Sequence, residues 1–155
     1  MTAEPNEIAT FRKATKADKS ILRRMIQDYY AFDNQQVSKA KIKSSLNIAL
    51  EENPYVVIWI IEVNKKTAGY LAMAIGFTIE AGGKDGFLDE LFLKPSYRGL
   101  GFGRQAVQFA IKMCPSLEIQ RLSLEVEQHN QRAQRLYKDM DFFAHNRILM
   151  SRWID

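Results

Sequence analysis

Residues 88–103 read Leu88-Asp89-Glu90-Leu91-Phe92-Leu93-Lys94-Pro95-Ser96-Tyr97-Arg98-Gly99-Leu100-Gly101-Phe102-Gly103. The apolar, β-rich run Phe87 to Leu93 predicts a strand and Lys94 to Tyr97 a turn. Gly103 to Met113 then predicts a helix with Ala106, Phe109, Ala110 and Met113 on one face. Between strand and helix, glycines at alternate positions let the backbone take positive φ and approach a ligand closely. The helix behind them aims unpaired N–H groups and the positive end of its dipole into the loop, which makes an anion site. Arg98 and Arg104 add mobile positive charge. Two nucleotide-binding loops fail on spacing. A Gly-x-Gly-x-x-Gly fingerprint needs glycine where Arg104 stands, and a Walker A loop needs a Gly-Lys-Ser/Thr ending. The loop points to a phosphorylated cofactor of another kind.

Outward from this unit the pattern alternates. Ile8 to Ala14 predicts a first strand, and Thr15 to Asp18 has the spacing of a capping box. The helix that follows carries Leu22, Met25, Ile26 and Tyr29 as one apolar stripe, and Asp33-Asn34 breaks it. A second helix, roughly Ser38 to Glu52, repeats the stripe through Ile42, Leu46, Ala49 and Leu50 until Asn53-Pro54. Tyr55 to Val63 and Thr67 to Phe77, joined by Asn64-Lys65-Lys66, predict an antiparallel hairpin of buried strands. The loop Thr78 to Gly86 leads to the strand at Phe87. A strand (Arg121 to Glu127), a helix (about Gln131 to Met140) and a closing β segment (about His145 to Trp153) complete one α/β domain over residues 1–155, with a mixed sheet flanked by helices.

Composition sets the outer bounds. The 155 residues are 46% hydrophobic and 26% charged, an ordinary globular balance with no need of disulfides or metals to complete a core. The longest apolar stretch, Tyr55 to Ile61, is far short of the ~20 residues that cross a bilayer. The polar start MTAEPNEIAT has no apolar signal core, and Cys114 is the single cysteine, so a reducing cytoplasm is the expected location. The net charge of +4 lies wholly in residues 1–50, with 9 Lys+Arg against 5 Asp+Glu. Those cations read as the wet faces of two helices, and no aromatic-basic motif points to nucleic acid. His129 and His145 form no zinc pattern, so no metal is expected.

A second block joins the first: Leu124-Glu125-Val126-Glu127-Gln128-His129-Asn130, then Ala133, Leu136-Tyr137 and Phe142. The two blocks, in this order and spacing, resemble the GNAT N-acetyltransferase superfamily. Its cofactor motif Gln/Arg-x-x-Gly-x-Gly/Ala is matched by Arg98, Gly101 and Gly103, and the resemblance covers about residues 67–153. It implies a GNAT-like single domain with a mixed, splayed central sheet and acetyl-CoA as acetyl donor, lying between the third and fourth long strands. The backbone of Leu91 and Leu93, flanking Phe92, would pair with the pantetheine arm. The amides of Arg98, Gly99, Leu100, Gly101, Phe102, Gly103 and Arg104 would take the pyrophosphate. Asn130 would hydrogen-bond the arm, and Ala133 is small enough to let the helix lie close. The family has glycine before the final Phe of this block; here Asp141 stands, a residue that tolerates the left-handed region.

Acetyl transfer to an amine needs a neutral amine, yet a lysine-like ammonium has a pKa near ~10.4. A carboxylate can take that proton, a strand amide near Leu91 can hold the developing oxyanion, and an acid can protonate the leaving thiolate. The resemblance gives Tyr137 that last role, although Ala133, Leu136, Tyr137 and Met140 also form a core stripe. Glu125 resembles the carboxylate of ribosomal-protein alanine acetyltransferases, and Asp89 aligns with the acid of polyamine acetyltransferases. Asp89 and Glu90 fall on opposite faces of an otherwise apolar strand, where an unpartnered carboxylate is costly. All three stay open as the base. Tyr29 and Tyr30 at the end of the first helix, with Glu80 in the loop before the third long strand, suit a cationic acceptor; Tyr29 also fits core packing. The acceptor class stays open among small amines and protein N-termini or lysines, and a homodimer stays open. The rival reading is a non-catalytic acyl-CoA-binding regulatory module.

Overall fold

The computed structural model describes residues 7–154; residues 1–6 of the polar start read above lie outside them. The chain divides between Glu125 and Val126 into two compact units. The first holds β1 (Thr10–Lys13), a 3-10 turn (Lys16–Asp18), α1 (Lys19–Phe32), α2 (Lys39–Ala49), β2 (Val56–Val63), β3 (Lys66–Thr78) and β4 (Gly83–Leu93). A second 3-10 turn (Pro95–Tyr97), α3 (Phe102–Met113) and β5 (Ile119–Leu124) complete it. The strands form one mixed sheet in sequence order, antiparallel from β1 to β4 and parallel between β4 and β5. Only the last connection is a crossover, and α3 makes it. The fold is α/β, as the sequence predicts.

The start of α1 is fixed by charge. Arg12 on β1 grips Asp18 with both terminal nitrogens at 2.8 Å, and Asp18 Oδ2 also accepts the Thr15 backbone N–H at 2.8 Å, completing the expected capping box. The guanidinium holds the buried Asp18 carboxyl at about 2. The end of α1 is fixed by a turn. Gln35 N–H donates to Tyr30 O at 2.8 Å and Asn34 N–H to Ala31 O at 3.4 Å, with Asn34 at φ 53°, which is a Schellman motif carried by asparagine. Between these ends Leu22, Met25 and Ile26 sink into a core with Ile42 and Leu46 of α2 and Ile58, Ile60, Tyr70, Ala72 and Phe92 of the sheet. On the opposite face α3 buries Phe102, Ala106, Val107 and Ala110, and Phe109 stacks on Phe11 at 4.3 Å and meets Trp59 edge-on.

One irregularity sets the register near the glycine loop. Glu90 pairs with Ala72 and Leu88 with Met73, so Asp89 is an extra residue with no partner on β3. This β-bulge reverses the parity of β4. Glu90 and Phe92 share the α1–α2 face with Ala72 and Tyr70, whereas Leu88 shares the opposite face with Met73. The ladder between β4 and β5 also stops here, at Leu88 and Leu124.

The second unit holds α4 (Gln131–Lys138). It too closes with a Schellman pair, Phe142 N–H to Tyr137 O at 3.0 Å and Asp141 N–H to Lys138 O at 3.1 Å, with Asp141 at φ 64°. The departure from glycine at Asp141 is accommodated as the sequence predicts. Two readings need correction. The strand predicted over Arg121 to Glu127 ends at Leu124. The closing β segment from His145 to Trp153 is not a strand, and Ile148, Leu149, Met150 and Trp153 are exposed. Its apolar run is short, polar residues flank it, and among the described residues no other strand lies in its unit to pair with it.

Asp18 is depressed from about 3.8 to about 2, so its contribution is present above the unfolded value and is lost as pH falls through the folded one. Asp18→Asn is expected to cost about 1–2 kcal/mol at pH 7, discounted for the half-exposed Arg12. Urea unfolding should show that difference shrinking toward pH 2.

Candidate active site

Glu90 is the most strongly constrained carboxylate near the bulge. Tyr30, in the last turn of α1, donates its hydroxyl to Oε1, and Tyr70 of β3 donates to Oε2 at 2.7 Å. Burial pushes the Glu90 carboxyl above the usual range; the two hydroxyls pull it partly back, and the neighbouring Asp89 adds upward pressure. Burial and the adjacent carboxylate raise both phenols as well, so they stay protonated and act as donors. Asp89 keeps an open side, yet the protein around its carboxyl also raises it. Two carboxyls in consecutive positions are thus shifted upward by their surroundings.

The aromatic wall belongs to the same unit. Tyr29 lies 5.7 Å from Tyr30 and 6.2 Å from Phe92, and Phe92 lies 5.9 Å from Tyr70, all ring to ring. Phe92 is buried in the core, and its backbone is spent on the ladder with Tyr70: Lys94 N–H bonds Ala68 O, so the alternate pair Phe92–Tyr70 is also hydrogen-bonded, and the groups that face away from β3 are those of Leu91 and Leu93. Glu80 is not brought to these tyrosines. From the Ala72–Glu90 pair to the Thr78–Gly83 pair is six residues of β3, or ~20 Å. Glu80 instead reaches Arg121 of β5 at 3.5 Å, and Arg121 holds Asp85 at 2.6 Å. Glu125 is exposed just past the end of β5.

The glycine loop has the backbone that an anion site requires. Gly99 and Gly101 adopt φ of 75° and 88°, and Gly101 is the N-cap of α3. Gly103 is different: it lies inside the helix with ordinary φ, and a Cβ there would meet nothing within 4 Å. Neither packing nor conformation asks for glycine at Gly103, and its backbone is open to close approach. Among the described residues, the amides of residues 99–103 have no carbonyl partner. These features fit a pyrophosphate. One expectation is overturned: Arg98 does not carry mobile charge, because its Nε donates to Leu93 O at 2.8 Å and its guanidinium lies over two aromatic rings. Leu91 and Leu93 are half-buried, Leu100 half-buried and Phe102 fully buried.

In the second unit, Asn130 caps α4 by accepting the Ala133 N–H at 3.1 Å, which leaves its Nδ2 for other partners. Tyr137 is half-buried with its ring 6.0 Å from Phe142, and burial raises its phenol. Two concavities occur elsewhere in the first unit. One of about 640 Å³ lies beside Thr15, Lys16, Leu50 and Val56, and one of about 370 Å³ lies over Ala74, Gly76, Asp85, Phe87 and Ser123. Neither is lined by Asp89 or Glu90. No group of three or more His, Cys, Asp or Glu among the described residues is placed to hold a metal. No helix among them is long and apolar enough to cross a membrane. Sequence reasoning missed the Tyr70 donor, since a tyrosine inside an apolar strand reads as packing.

Comparison with known proteins bears on family and fold. The family model described as "Acetyltransferase (GNAT) family" matches residues 20–142. The chain is 32% identical over 113 residues to a Bacillus subtilis protein named as a candidate ribosomal protein bS18-alanine N-acetyltransferase, covering 73% of this chain and 71% of that one. An integron cassette protein from the mobile metagenome of a Cole Harbour salt marsh superposes with a TM-score of 0.81 at 25% identity, covering 94% of this chain and 90% of that one. A Clostridium acetobutylicum protein named as a predicted acetyltransferase, solved with acetyl-CoA, shares the fold with a TM-score of 0.76 at 18% identity over 94% and 96% of the two chains.

Tyr70→Phe is expected to remove one donor from the ionised Glu90, raise its carboxyl further, and destabilise the fold by about 1–3 kcal/mol. Carbon-detected NMR titration of Glu90 checks the direction; an unchanged or lower value would contradict the cradle.

Proposed function

This chain belongs to the GNAT acetyltransferase family and is an acetyl-CoA-dependent N-acyltransferase, and from that premise we propose direct acetyl transfer to a primary amine in a ternary complex, with Glu90 as proton acceptor. The observation that supports it most is the Glu90 carboxylate held between the Tyr30 and Tyr70 hydroxyls. Bound acetyl-CoA supplies the acyl thioester. The amides of residues 99–103 take the pyrophosphate, since the Arg98 amide is spent on Pro95 O, and the backbone groups of Leu91 and Leu93, which face away from β3 past the end of the ladder with β5, face the arm.

The incoming amine is an ammonium with a pKa near ~10.4 and must lose a proton to attack. Asp89 holds it by charge. Glu90, made more basic than an ordinary carboxylate by burial, takes the proton while its tyrosines fix its direction. The neutral amine nitrogen bonds the acetyl carbon, the carbon–sulfur bond breaks, and the nitrogen sheds its second proton, which makes good the one given to the sulfur; an amide N–H near Leu91 steadies the charge that develops on the carbonyl oxygen. The family resemblance assigns the proton for the departing sulfur to Tyr137, whose phenol burial keeps protonated. Glu125 lacks the enclosure of Glu90, so the reading favours Glu90 and Asp89 over it.

Glu90→Gln is expected to lower kcat by ~10²–10⁴-fold. The base must be ionised, so wild-type kcat/KM falls as pH drops through a value above the ordinary glutamate range of ~4.3, and the variant loses that limb. A variant that keeps wild-type kcat would remove Glu90 from the mechanism. Because the Bacillus subtilis relative is named for an N-terminal alanine acceptor, peptides with N-terminal alanine head the acceptor panel. Gly103→Leu should separate binding from folding. Gly103 sits in the first turn of α3 with ordinary φ and open space at its Cβ, so unfolding stability should hold or rise by less than ~1 kcal/mol while acetyl-CoA affinity measured by calorimetry falls by an order of magnitude.

A further inference from the structure

A guanidinium at the mouth of a phosphate-binding loop is ordinarily read as a phosphate ligand. The Arg98 side chain is engaged elsewhere. Its Nε donates to Leu93 O at 2.8 Å, and its guanidinium carbon lies 5.0 Å from the centre of the Phe32 ring and 5.5 Å from that of Phe92. Both lie within the ~6 Å at which a ring face attracts a cation. The two rings belong to different elements: Phe32 is the last residue of α1, and Phe92 lies on β4 two residues past Glu90. Phe32 is 72% exposed and outside the core cluster, so burial does not hold it in place. Phe92 touches Tyr29 and Tyr70, and Tyr30 and Tyr70 hold Glu90. Contacts therefore run without a break from the start of the glycine loop to the carboxylate.

We propose that Arg98 is a positioning residue. Its side chain braces the last turn of α1 against β4, and so ties the donor loop to the tyrosines that hold Glu90. The link to acceptor binding rests on the function proposed above; the brace itself does not. It makes the [Gln/Arg] position of this loop matter through its side chain toward the acceptor side, while the loop's backbone serves the donor.

Amide hydrogen exchange at Asp33, Asn34 and Gln35, whose N–H groups close the end of α1, tests the brace without any turnover. Arg98→Met and Phe32→Ala should each speed exchange there by ~3–10-fold, the double variant should be no faster than either, and Phe32→Tyr should behave as wild type. Arg98→Met should change acetyl-CoA affinity by no more than ~2-fold and leave its salt dependence intact, while acceptor KM rises ~3–10-fold at nearly constant kcat. Unchanged exchange in Arg98→Met, or multiplying effects in the double variant, would overturn the proposal. So would a tenfold loss of acetyl-CoA affinity with a shallower salt dependence, which would mark Arg98 as a phosphate ligand. Wild-type protein that binds no acetyl-CoA would overturn the proposed function and leave the exchange result to decide the brace.

Discussion

A strand with one residue more than its partner governs the rest of this molecule. Asp89 has no opposite number on β3, so β4 changes parity at that point. Before the bulge, Leu88 serves the α3 face; after it, Glu90 and Phe92 turn toward α1 and α2. Without the extra residue, Leu88 and Glu90 would share a face, and a carboxylate and a core leucine would compete for one side of the sheet. The same position is where pairing with β5 ends. A sheet interior leaves few backbone groups uncommitted, so the end of this ladder is where a ligand can meet the main chain.

The helices are placed to serve that point. Asp18, gripped by Arg12, sets where α1 begins, and Asn34 in the left-handed region sets where it stops. With both ends fixed and Leu22, Met25 and Ile26 seated in the core, Tyr30 has little freedom except to face Glu90. The tyrosines both stabilise the ionised carboxylate and deny it water. Burial wins in that balance, since the Glu90 carboxyl ends above its ordinary range. On the far side of β4, α3 presents its N-terminus through a loop whose glycines have conformational reasons at Gly99 and Gly101, while the backbone at Gly103 is left open to approach.

Much of this was legible in the residues. The strand–glycine loop–helix unit, the capping box at Thr15, the hairpin and the two family blocks depend on local pattern, and local pattern is what a sequence displays. The left-handed turn at Asp141 was also readable, because the side chains that tolerate it are few. The bulge was not, since nothing in the order Leu88-Asp89-Glu90 says which residue lacks a partner. The Tyr70–Glu90 bond was hidden for a similar reason: the two are twenty positions apart and are joined only by register. Glu80 looked like part of the acceptor site because loops look alike in sequence, and the length of β3 carries it away. The closing segment near Ile148 failed as a strand because propensity does not supply a partner.

The most direct test of this account is amide NMR of the labelled protein titrated with acetyl-CoA. The account predicts that the largest perturbations fall on residues 89–93 and 98–104, the open run of β4 and the glycine loop. Perturbations confined to other segments, with these two stretches unmoved, would contradict it.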